Sequence, residues 1–125
     1  MMAALEAARD ALALIPGITS CKIGTEDGIS PADFPLIRIE PLRVTPGQPY
    51  GKRTCEVVVH FGLPVGQSDA DDGGGLELVF QGLFELEAQV LAVLKTLSAR
   101  YVETIVGDQE QMTFRTMGVR CELRG

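Results

Sequence analysis

Several kinds of residue that chemistry needs are scarce in this 125-residue chain. Histidine occurs once, at His60, and cysteine three times, at Cys21, Cys55 and Cys121. A general base or a metal ligand works only with suitable partners within reach. The nearest carboxylate in phase with His60 is Glu56, four residues back, so His60 is expected to be a surface or interface side chain. An odd number of cysteines with no paired short spacing disfavours both a disulfide framework and a zinc site. No serine or cysteine stands in a recognisable nucleophile motif, and no apolar run approaches the length of a membrane span. Positive charge is also in deficit. Eleven Lys and Arg face 17 Asp and Glu, a net charge of −6, which argues against a nucleic-acid binder working through a basic surface.

Two glycine-rich stretches invite a ligand and fail on spacing. "TPGQPYGKRT", residues 45–54, has only three residues between Gly47 and Gly51, and Arg53 separates Lys52 from Thr54. A phosphate loop needs four residues between its glycines, and then Lys and Ser/Thr opening a helix whose dipole faces the anion. "DADDGGG" gives a calcium loop Asp69, Asp71 and Gly74 at positions one, three and six. It then puts Gly73 at position five, and Phe80 where a bidentate glutamate is required. Neither loop is expected to be a specific cofactor or metal site.

Periodicity is plentiful. Leu5, Ala8, Leu12 and Ile15 step by three and four, predicting a helix over about 2–14, stopped by Pro16 and Gly17. The charges Glu6, Arg9 and Asp10 within "MMAALEAARDALALIP" make it a helix rather than a leader peptide. "ITSCKI" is compatible with a short strand. "PLIRIEPLRV" alternates until Pro41 shifts the phase to Leu42 and Val44, as a bulge in a strand would. "TCEVVVHFGL" alternates without interruption, with Cys55, Val57, Val59, Phe61 and Leu63 on one face. The 45–53 segment is therefore a hairpin loop, and 64–75 a long polar loop expected to be mobile. Leu76, Val79, Leu83, Leu86, Val90, Leu94 and Leu97 predict a long amphipathic helix ending near Arg100, widened by Phe80, Phe84, Leu91 and Val93. "YVETIV" and "TFRTMGVRCELR" close the chain as strands. The order α-β-β-β-α-β-β predicts a single α+β domain, residues 1–125. Its sheet is mostly antiparallel, of four to five strands, with two helices on one face. Val57, Val59, Phe61, Leu83, Leu86, Val90, Leu94, Met117 and Val119 are its expected core.

This succession resembles the tail terminator and related tail-completion proteins of long-tailed bacteriophages: an N-terminal helix, "FPLIRIEP", a variable hairpin, "RTCEVVVHFGL", a loop, the helix "LELVFQGLFELEAQVLAVL" and the strand "TFRTMGVRCELR". The resemblance covers nearly the whole chain as an arrangement and carries no signature residue. It implies a structural virion protein without catalytic residues or cofactor. Such a protein forms a homo-oligomeric ring, typically a hexamer, that caps the tail tube, stops its polymerisation and joins it to the head. The implied partners are further copies of the chain, the tail tube protein and a head-completion protein. DNA passes through without specific binding, and an acidic ring would repel it. The implied locations are the host cytoplasm during assembly and then the virion tail. Another head–tail connector or minor tail protein is an alternative within the class, and a small cytoplasmic ligand-binding domain or enzyme subunit one outside it. For ring contacts, which join unlike surfaces, the sequence offers a locally basic hairpin tip at Tyr50, Lys52 and Arg53. A locally acidic loop at Asp69, Asp71 and Asp72 is its counterpart.

Overall fold

A computed structural model describes residues 1–24, 30–47, 51, 53–65, 73–107 and 114–125. The elements are α1 (Met2–Leu12), β1 (Ser20–Ile23), a 3-10 turn (Pro31–Asp33), β2 (Leu36–Thr45), β3 (Thr54–Pro64), α2 (Gly73–Thr96), β4 (Arg100–Val106) and β5 (Phe114–Arg124). They make the expected α+β fold, with five strands in the order β1-β2-β3-β5-β4. β1 runs parallel to β2, and every other neighbouring pair is antiparallel.

Period two divides the sheet into unlike faces. Ile37, Ile39, Cys55, Val57, Val59, Phe61, Met117, Val119, Cys121 and Leu123 share one buried cluster with Leu5, Ala8 and Leu12 of α1 and Val79, Leu83, Leu86, Val90 and Leu94 of α2. Both helices therefore cover the same face, α1 over β1 and β2, α2 over β3, β5 and β4. All nine residues expected to form the core lie in this cluster. Burying each such side chain is worth about 1.5–3 kcal/mol, and that term, far more than helix propensity, holds α2 on the sheet.

The ends of the elements depart from the sequence expectation in instructive ways. α1 stops at Leu12, two residues early, and a looser turn follows to Gly17, whose φ of 85° suits a residue without Cβ. α2 begins at Gly73, taking in all three glycines that the sequence pattern places in the loop, and ends at Thr96 rather than near Arg100. Its end is a Schellman turn. Ala99 N–H donates to Leu94 O and Ser98 N–H to Lys95 O, with Ser98 at φ 57° in the left-handed position. Serine there, where glycine or asparagine is usual, hid the stop from sequence reasoning. Phe84, expected in the apolar stripe, is exposed, as is Leu78. The bulge at Pro41 is present, with the register shifting between Pro41 and Arg43. A second bulge lies between Tyr101 and Glu103 on β4.

Candidate interaction surface

Of the six residues singled out for partner contacts, Tyr50, Lys52, Asp69, Asp71 and Asp72 lie outside the described residues. Arg53 is described. It is exposed, and its carbonyl accepts a hydrogen bond from Gly125 N–H at 2.9 Å, tying the foot of the hairpin to the C-terminus.

The face of the sheet opposite the helices carries what the sequence did not disclose. Arg43 on β2 stands opposite Glu56 on β3 and donates to it at 2.8 Å. The other oxygen of Glu56 accepts from Arg120 on β5. Arg120 in turn reaches Glu103, its neighbour on β4, at 3.4 Å. Read across the strands β2, β3, β5 and β4, the charges alternate plus, minus, plus, minus. Alongside, Arg100 holds Glu122 through two hydrogen bonds of 2.8 and 3.0 Å. The side chain of Glu56 is only 11% exposed, whereas Arg43 and Glu103 at the ends of the row are 71% and 51% exposed. Hydrogen bonds from Arg120 and then Arg43 hold the Glu56 carboxyl below its ordinary range. Arg100 does the same for Glu122, and the two carboxylates raise Arg120 and Arg100 reciprocally. Opposite charges close by favour the ionised forms.

His60 is half-buried and makes a contact that spacing along its own strand does not show. Its Nε2 lies 2.6 Å from Glu40 Oε2, across the strand pair, while Glu56 is occupied by the two arginines. Beside it Phe34 and Phe114 stack with centroids 4.5 Å apart. They wall a shallow depression of about 240 Å³ that also touches Arg38 and Thr116. Arg38 is almost wholly buried and donates to Ser20 Oγ at 3.0 Å and to Ile37 O at 2.9 Å. The first ties β2 to β1, and the second is local to β2. Among the described residues, no three His, Cys, Asp or Glu side chains converge as metal ligands would. The cysteines are free. Burial raises all three thiols, Cys121 to about 11, so Cys55 and Cys121 behave as small hydrophobes, as their strand phase implied.

The edges of the sheet differ from its middle. Among the described residues β4 is a terminal strand with one neighbour, β5, and Tyr101, Val102, Ile105 and Val106 on it are each between 42% and 52% exposed. Tyr101 OH is paired with Thr104 Oγ1 at 2.7 Å, and Thr104 donates to Glu87 of α2, so the strand is held firmly against the helix layer. Tyr101 also borders a groove of about 440 Å³ with Leu91 and Leu94. At the other side of the sheet, β1 covers β2 only along Leu36–Ile39. The outer half of β2 is exposed, with Leu42 and Val44 among its residues. Compared with protein-family models and with curated proteins, the sequence matches none.

Proposed function

We propose that this protein is a structural assembly protein of the phage tail terminator kind: a ring of identical subunits that caps a tail tube, ends its polymerisation and presents a surface for joining to the head. The observation that carries this reading is the β4 edge. A seven-residue terminal strand with four exposed apolar side chains is a template for another protein chain. The observed element order supports the reading as well, because that order is what carries the resemblance. The net charge of −6 suits a collar through which DNA must slide without adhering. In this reading the chain needs no catalytic group or cofactor, and the hairpin tip with Tyr50, Lys52 and Arg53 and the loop with Asp69, Asp71 and Asp72 meet on adjoining subunits.

Native mass spectrometry and electron microscopy, with and without tail tubes, test it on wild type and on Lys52→Glu/Arg53→Glu. The wild type is expected to form a ring, alone or on a tube end, and the charge-reversed protein to do so poorly. A wild type that neither forms a ring nor caps a tube under any condition defeats the reading. Capping by the charge-reversed protein as well as by wild type removes the hairpin tip from it.

A further inference from the structure

The row Arg43–Glu56–Arg120–Glu103 begins with a cation at one side of the sheet and ends with an anion at the other. Among the described residues each terminal charge has a partner on its inner side only, and each is more than half exposed. Both retain bonding capacity, since a guanidinium carries five N–H donors and a carboxylate can accept from several groups at once. Each also stands directly after a bulged position, Arg43 after Leu42 and Glu103 after Val102, and both bulged residues are exposed apolar side chains.

The topology makes these two edges complementary. Going from β2 through β3 and β5 to β4, each strand is antiparallel to the last, so β4 is antiparallel to β2. A second copy in the same orientation, set beside β4, therefore presents its β2 antiparallel to that strand. The charged faces of the two sheets fall on the same side. Among the described residues, β1 ends its pairing at Ile39 and Gly24 N–H donates to Ile39 O, leaving residues 41–45 of β2 to meet β4. Setting Glu103 opposite Arg43 brings Val102 beside Val44 and Ile105 near Leu42.

We infer that copies of this chain associate head to tail through these unlike edges, β4 of one against the outer half of β2 of the next, with Glu103 and Arg43 setting the register. The occupant of the β4 edge is thus a second copy of the chain. The apolar side chains supply the burial. The ion pair, at an exposed rim, adds little affinity but selects partner and orientation. Pro41 and the two bulges discourage indiscriminate strand addition, leaving side-chain complementarity to decide which edge is accepted. A contact between unlike surfaces propagates from copy to copy and closes when the rotation allows. Only that closure rests on the ring reading above.

The test is a charge exchange followed by sedimentation velocity. Glu103→Arg and Arg43→Glu are purified separately, and their thermal midpoints are compared with wild type to establish that each is folded. Wild type is expected to self-associate as its concentration rises. Each variant alone is expected to associate about tenfold or more weakly, because every contact then sets like charges together. An equimolar mixture is expected to recover association. When the two variants alternate, the introduced arginine of one meets the introduced glutamate of the other. In the next contact the native Glu103 meets the native Arg43. Wild type that stays monomeric up to its solubility limit overturns the inference. So does full association of either variant alone, or a mixture that recovers nothing. Capping of tail tubes is scored separately, so head-to-tail association without capping sinks the terminator reading and leaves this contact standing. Capping without any dependence on these two charges does the reverse.

Discussion

Replacing Leu83 and Leu94 by alanine, one at a time, measures how α2 is seated on the sheet. Both side chains belong to the core cluster, but their surroundings differ. Leu83 is fully enclosed, whereas Leu94 is 3% exposed and borders the groove of about 440 Å³ beside Tyr101. Leucine-to-alanine changes in cores cost about 2–5 kcal/mol, the cost rising with the cavity that cannot collapse. A cavity at position 83 has no route to relax, so its cost belongs at about 4 kcal/mol, near the top of that range. At position 94 the groove lets neighbours shift or water enter, which puts the cost at about 2.5 kcal/mol. With roughly 4 °C of midpoint per kcal/mol for a domain of this size, the expected falls are about 16 °C and 10 °C. Thermal and urea unfolding followed by circular dichroism gives both values, and an unchanged urea m-value would indicate that the denatured state is not altered. A Leu94→Ala protein that melts with wild type would mean that the C-terminal half of α2 does not dock between β5 and β4.

Further outcomes follow from the charged face, the aromatic stack and the glycine-rich loops. Glu56 is held below its ordinary value of 4.5, so its contribution to stability is complete above that pH and lost as pH falls through the lowered folded value. Glu56→Gln should therefore melt below wild type at pH 7, with the gap closing in the acid range below 4.5; a gap that is constant with pH would contradict the pairing. Gly62 lies under Phe34, and a Cβ built there meets the ring at 2.6 Å, with the Arg115 carbonyl oxygen at 3.1 Å. Gly62→Ala should lose about 1–3 kcal/mol by overpacking, and an unchanged unfolding midpoint would mean that the Phe34–Phe114 stack is not seated there. Calcium or ATP added to chelator-treated protein should leave the thermal midpoint nearly unchanged, since only a ligand that binds the folded state raises it. A clear rise with either would restore one of the two glycine-rich loops as a site.

The central strands were legible in the sequence because their period is two, although the place of β5 beside β3 was not. β3 and β5 alternate without interruption, and even the bulge on β2 announced itself through Pro41. The helix ends were less legible. Ser98 closes α2 in a conformation that its side chain does not advertise, and glycines 73–75 look like loop in one dimension. The charged row was invisible for a different reason. Arg43, Glu56, Arg120 and Glu103 come together only once β5 is known to lie between β3 and β4, a crossover over α2 that separates Glu56 from Arg120 by 64 residues. His60 and Glu40 are likewise neighbours across strands, a contact that spacing along one strand does not show. Phe84 and Leu78 show the limit of helical periodicity. An apolar residue at the margin of the stripe can face outward without breaking the pattern.

Tube growth followed by electron microscopy tests the central claim most directly. Tail tube protein is allowed to polymerise in the presence and absence of this chain, and tube ends and lengths are scored. The account predicts that tubes in its presence stop growing and carry a ring of this protein at one end. Tubes that lengthen equally with and without it, and whose ends stay bare at every concentration, would contradict the account.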